Sequence, residues 1–206
     1  MACVDAVVGG ARDMPAEQLL TVNMSPRTIE ATHFSAEPLL VILGRYGIAP
    51  QRVIVELTER EKVEDVSRLQ QNLAKLQRSG LRIAADDVGA GNAGLRLLSQ
   101  FRFDIVKIDL SLVQEGAERD SSRAVLRSLR DLASRWGASV IAEGLETVSQ
   151  LRSVRELGIA AGQGYLLARP MTSPAMDRVD MATIESGGLV LERRPRPTEG
   201  ALPAAS

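Results

Sequence analysis

Six short apolar runs recur along this chain, and each turns polar or ionisable at its carboxyl end. LLTVNMS (19–25), VIVELTE (53–59), LRIAADD (81–87), FDIVKID (103–109) and SVIAEGLE (139–146) are clear, and IAAGQGYLL (159–167) is a weaker sixth. Continuous apolar runs of this length suit strands buried on both faces. Helical patterns lie between them, such as VEDVSRLQQNLAKLQRSG and SSRAVLRSLRDLASRWG, which close on Gly80 and Gly137. A glycine there suits a left-handed C-cap. Strands alternating with amphipathic helices imply a parallel sheet covered by helices, and a unit of roughly 20 to 40 residues suits βα units better than shorter repeats. The expected fold class is α/β, a parallel sheet covered by helices, which a TIM-type β/α barrel would satisfy.

Composition narrows the function classes. The chain has 206 residues, 45% hydrophobic, with a formal net charge of −1. That length fits one generous domain with a real core. Near-neutral charge without a basic block argues against duplex nucleic acid or an anionic membrane as partner. Cys3 is the only cysteine, which excludes an internal disulfide and fits a reducing compartment. No apolar run approaches a membrane span, and no leader pattern opens the chain, so a cytoplasmic location is expected. Residues 1–18 read as a short lead-in and 19–186 as the domain. The last stretch, 187–206, is rich in proline, arginine and small residues and reads as a disordered tail.

The polar strand ends carry the chemistry. They are Asn23 and Ser25, Glu56 and Glu59, Asp86 and Asp87, Lys107 and Asp109, Glu143 and Glu146, and Gln163. In a parallel β/α barrel the carboxyl ends of the strands meet at one face, where the active site lies. A single glutamate at a strand end is most often a solvated loop charge, but six such ends in register are not. A set of oxygen ligands suits Mg²⁺ or Mn²⁺, and it lacks the cysteine and histidine that zinc prefers. Asp86 and Asp87 repel each other unless something positive lies near them. Two metals about 3.5–4 Å apart, as in phosphoryl displacement, would supply that charge. Lys107, flanked by apolar residues, would not be left unpaired; it is either a cation balancing the carboxylates or a base of lowered pKa. His33, the only histidine, reads as structural or surface, and Trp136 and the few other aromatics read as core. Gly89 and Gly91 are compatible with a phosphate-cradling loop, but GAG alone is weak evidence.

Taken in order, TVNMSP, VELTE, IAADDVGAG, IVKIDLSLV, VIAEGLET and GQGYLLARP resemble the successive motifs of the EAL-domain family, from about Leu19 to Met171. That family comprises cyclic di-GMP phosphodiesterases on a β/α barrel. The resemblance implies hydrolysis of one phosphodiester bond of cyclic di-GMP to linear pGpG, with two Mg²⁺ or Mn²⁺ sites. It implies Asn23, Glu56 and Asp86 as ligands of one metal, and Asp86, Asp87 and Glu143 as ligands of the second. Lys107 matches the lysine at the nucleophilic water. Glu59 matches the glutamate that holds the loop after the aspartate pair, and Glu146 and Gln163 match residues that support the water and the site. Ser25 and Pro170 match positions on the nucleotide side. A homodimer or an upstream signalling domain is the expected partner.

The chain also departs from the family pattern. No Glu-Ala-Leu signature precedes Asn23, and the arginine that follows it in the family is absent too. About six of the eight barrel strands are therefore expected, with the first strands missing. The first metal site should be weakened and activity reduced. Val88 replaces the usual Phe, and Asn92-Ala93-Gly94 replaces the common Tyr-Ser-Ser. Two alternatives stay open. One is an inactive cyclic di-GMP-binding or protein-interaction module. The other is an enolase-type metal enzyme, in which a strand-borne lysine abstracts a proton.

Overall fold

The computed structural model describes residues 2–58, 63–170, 179 and 181–185. In chain order the elements are α1 (Ala2–Gly10), β1 (Leu20–Met24), α2 (Pro26–Ile29), α3 (Glu37–Arg45), β2 (Val53–Thr58), α4 (Val66–Arg78), β3 (Arg82–Val88) and α5 (Asn92–Gln100). There follow β4 (Ile105–Ile108), α6 (Leu110–Glu118), α7 (Asp120–Trp136), β5 (Ser139–Ala142), α8 (Val148–Glu156), β6 (Ala161–Gly162) and α9 (Met181–Glu185). Each apolar run became a strand. The two helical patterns became α4 and α7, and α7 ends on Gly137, whose φ of +72° is the left-handed conformation a C-cap requires.

All five strand pairings are parallel and join neighbours in the chain, so the order is β1-β2-β3-β4-β5-β6. A doubly wound sheet reverses its strand order at a switch point, whereas a barrel winds in one direction. This sheet winds in one direction. Among the described residues β1 does not pair with β6, so the sheet is an open arc, as expected of an incomplete barrel.

Side-chain alternation divides the sheet into two faces. Val22, Val53, Val55, Leu57, Ile83, Ala85, Val106 and Ile108 are buried in the main core. The other face carries a second cluster made of Ile54, Ala84 and Ile105, with Ile141 half-buried against it. Two residues beyond these four, toward the strands' carboxyl ends, stand Glu56, Asp86, Lys107 and Glu143. A small apolar layer therefore floors a charged one, the layered interior of a β/α barrel.

Residues 1–18, read as a lead-in, contain a helix that joins this core. Val8 of α1 is fully buried, and Asp5 pairs with Arg45 of α3 at 2.8 Å. Arg52, just before β2, donates to the carbonyls of Met14 at 3.1 Å, Pro15 at 2.5 Å and Gln18 at 3.1 Å. One guanidinium thus holds the segment entering β1. The aromatics divide. Phe101 and Phe103 are buried edge to face, and Trp136 packs half-buried on the core. Tyr165 is 54% exposed, so the expectation of a core role fails for it. His33 is exposed. No helix among the described residues is long and apolar enough to cross a membrane. The tail at 187–206 lies outside the described residues.

Candidate metal and active site

Lys107 organises the charged layer. Its Nζ lies 2.7 Å from Asp86 Oδ1, 2.8 Å from Glu143 Oε1 and 3.0 Å from Glu56 Oε1. The three carboxylates come from β3, the end of β5 and β2, so sheet register alone brings them to one ammonium. The lysine side chain is only 7% exposed, and Glu56 is buried as deeply. The backbone ladder runs past the strand ends to hold the last two positions. The Glu143 amide donates to the Ile108 carbonyl at 3.0 Å, and the Gln163 amide donates to the Ala142 carbonyl at 2.9 Å. The Gln163 side-chain amide then donates to Glu143 Oε1 at 2.5 Å.

The adjacent aspartates pose a geometric problem, because strict alternation would send them to opposite faces of the sheet. A β-bulge resolves it. Ala85 pairs with Val106 and Val88 with Ile108, so Asp86 and Asp87 together stand against Lys107 alone. The extra residue takes up the irregularity: Asp87 has φ +55°, the one left-handed non-glycine among the described residues. Such bulges re-aim side chains near active sites, and the left-handed conformation stores strain. As a result, oxygens of Asp86, Asp87 and Glu143 all lie within 4.8 Å of one another.

The electrostatics follow first from burial, and then from the carboxylates gathered near one ammonium. Burial raises the Glu56 carboxyl above the usual carboxylate range, although Lys107 pulls it down, and Asp86 and Asp87 push it further up. Glu143 is raised for the same reasons, burial first. Burial alone would lower the pKa of Lys107, but hydrogen bonds to Asp86 and Glu143 and the charges of Glu143 and Glu56 outweigh it, and the net shift is upward. Of the two roles left open for Lys107, this geometry supports the cation.

These residues fit a divalent metal. The donors are carboxylate oxygens, the ligand type of Mg²⁺ and Mn²⁺, and oxygens of Asp86, Asp87 and Glu143 gather within 4.8 Å of one another beside a single ammonium. Asn23 is level with Glu56 in the β1–β2 register, on the same face, and is exposed at the edge of the arc. Glu146 is exposed and lines a cavity of about 460 Å³ beside the cluster, with Leu110, Gln163, Tyr165, Arg169 and Pro170. The Arg169 guanidinium lies 4.7 Å from the centre of the Tyr165 ring. Ser25 has a local task, since its Oγ accepts from the Thr28 amide at 3.2 Å and caps α2. Glu59 lies outside the described residues.

Three features of this site were not read in the sequence. The bulge has a visible signal, two adjacent aspartates at the end of an apolar strand. Tyr165 and Arg169 have one too, four residues apart beside the matched Pro170. The close fit of Gly144 on α6 has none. Gly144 has φ +66°, and a Cβ there would lie 2.2 Å from the Leu110 Cβ. Only glycine lets the loop after β5 lie this close to α6 while holding Glu143 at the cluster.

Fold and site together define a β/α-barrel-type domain with an acidic, lysine-centred site at the carboxyl ends of its strands. Residues 3–170 match the model of the EAL domain family, and the chain belongs to that family. The probable cyclic di-GMP phosphodiesterase PdeA of Escherichia coli K12 is 35% identical over 150 residues, which are 73% of this chain and 20% of that protein. A standalone versatile EAL protein from Vibrio cholerae O395, solved in its c-di-GMP-bound form, superposes with a TM-score of 0.76 at 27% identity, covering 82% of this chain and 71% of that one. Klebsiella pneumoniae BlrP1, solved as a calcium/cy-diGMP complex, superposes with a TM-score of 0.75 at 29% identity, covering 82% of this chain and 43% of that one. A manganese complex of the same protein is also similar. The chain spans about a fifth of the length of the first curated relatives it matches.

Proposed function

We propose that this domain is a cyclic di-GMP phosphodiesterase site that hydrolyses one phosphodiester bond to give pGpG, using Mg²⁺ or Mn²⁺. The observation that carries the reading is the bulge that brings Asp86 and Asp87 together beside Lys107 and Glu143. Asn23, Glu56 and Asp86 would hold one cation, and Asp86, Asp87 and Glu143 the other. Divalent cations bound there would acidify a water near neutral pH and neutralise charge on the attacked phosphate.

The chain's own residues do the rest. Lys107, held protonated by its carboxylates, keeps three of them in place and presents its charge to the attacking water. Gln163 fixes the orientation of Glu143 through their hydrogen bond. The cavity edged by Tyr165, Arg169 and Pro170 offers a flat, partly cationic surface suited to a nucleobase. Water oxygen bonds to phosphorus while the bond to one 3′-oxygen breaks, leaving a 5′-phosphate and a free 3′-hydroxyl.

Activity of the 206-residue chain is expected to be absent or far below that of a domain with the Glu-Ala-Leu glutamate, because the first cation has one carboxylate fewer. The missing carboxylate favours a second reading, in which cyclic di-GMP is held without being cut. Three carboxylates within 3.0 Å of the Lys107 Nζ count against the enolase-type alternative, which needs an amine free to reach a substrate proton. The deciding assay is conversion of cyclic di-GMP to pGpG by the purified chain, with and without an added N-terminal strand carrying Glu-Ala-Leu. The extension should raise the rate sharply, and Asp86→Asn should abolish it in both forms. Full turnover by the unextended chain would refute the account of the first site. Binding without turnover in both forms would favour the second reading.

A further inference from the structure

Glu30 is a buried carboxylate that the proposed chemistry does not use. It is only 6% exposed and caps the carboxyl end of α2, the four-residue helix that follows β1 directly. Its Oε2 accepts two backbone amides, those of Glu64 and Asp65, each at 3.0 Å. Asp65 is the N-cap of α4, so the Glu30 charge also lies at the positive end of that helix. The connection is returned from α4, where the buried Asn72 side chain donates to the Ile29 carbonyl at 2.6 Å, and Lys75 donates to the Asn72 oxygen at 2.9 Å.

The position of this brace gives it a consequence for the site. Within the described sheet β1 is an edge strand, held by a ladder to β2 on one side only. Asn23 lies near its end and is level with Glu56. From Asn23 the chain runs through Ser25, which caps α2 at Thr28, to Glu30, which is tied to the start of α4. The segment after Asn23 is thereby fixed to the element that follows β2, and β2 carries Glu56. We infer that Glu30 is a positioning residue, whose bonds to the start of α4 hold Asn23 in register with Glu56 as a pair of metal ligands. This rests on the proposed metal site. Residues that orient metal ligands commonly change affinity by about 10–100-fold, and an indirect brace belongs at the low end.

The test is Mn²⁺ titration of the whole chain by calorimetry, with Asn23→Ala marking which binding event belongs to the first site. Glu30→Ala should weaken that event about tenfold and leave the other within about twofold. Glu30→Gln, which keeps an oxygen acceptor in place, should recover most of the loss. Unchanged binding in Glu30→Ala, or equal weakening of both events, would overturn the inference. If Glu30→Ala does not fold, Glu30→Asp decides. It keeps the charge but withdraws the oxygen, so it should weaken the first event alone, and wild-type affinity would overturn the inference. If the wild type binds no Mn²⁺, the metal reading fails instead. The brace is then judged by amide hydrogen exchange, which should quicken at Leu20–Met24, Glu64 and Asp65 in Glu30→Ala and would refute the brace if unchanged.

Discussion

Replacing Lys107 by methionine isolates the electrostatic role of the ammonium, because the methionine side chain fills nearly the same space. Glu56, Asp86 and Glu143 would lose a partner now at 2.7–3.0 Å. Each of these side chains is at most 13% exposed, so solvent would compensate little. Removing one member of a buried ionic group typically costs about 3–5 kcal/mol, since the remaining charge is left uncompensated. With a urea dependence of roughly 2 kcal/mol per molar, the unfolding midpoint in EDTA at pH 8 should fall by about 1.5–2.5 M.

The sign of the pH effect follows from the shifts. Glu56 and Glu143 have raised folded-state pKa values, so they cost stability at neutral pH, and the cost is relieved as pH falls through those values. Without Lys107 they rise further, so the deficit of Lys107→Met should shrink between pH 8 and pH 5. Lys107, raised in the folded state, stabilises the wild type up to its ordinary pKa and loses that contribution only as pH climbs through the raised value. A mutant within about 1 kcal/mol of wild type at pH 8, or a deficit equal at both pH values, would refute Lys107 as the counter-ion of the cluster.

Other consequences are open to direct measurement. Gly144→Ala must either leave φ +66° or push Leu110 aside, so it should lower stability by about 2–4 kcal/mol in thermal unfolding; a loss below 1 kcal/mol would show that the loop yields freely. Arg52→Ala removes three bonds to the carbonyls of Met14, Pro15 and Gln18 and should cost about 2–3 kcal/mol in urea, with faster amide exchange across α1; unchanged exchange would disprove the clasp. The edges of β1 and β6, unpaired among the described residues, should drive self-association of the isolated chain, and sedimentation as a compact monomer over a wide concentration range would count against it.

The pattern of runs and helices was legible in the sequence because strand and helix periods are local. A buried parallel strand must be apolar throughout, and a helix on its face must be apolar on one side. The polar ends were legible for the same reason: Glu56, Lys107 and Glu143 interrupt runs that would otherwise continue apolar, and the βα order assigns every such end to one side of the sheet. The contacts themselves were not legible. That one ammonium serves carboxylates from three strands depends on strand order and register, which join residues up to 51 positions apart. The adjacent aspartates hint at an irregularity, but the bulge at Asp87 is a register mismatch between β3 and β4 that exists only once the two strands pair. Glu30 reads as one more polar residue after a strand until α4 brings two amides to it. Local sequence thus determined which residues could face the site, because side-chain alternation is a property of the single strand. Tertiary structure decided which of them meet, because charge pairing acts over a few ångströms between segments that only the folded sheet brings together.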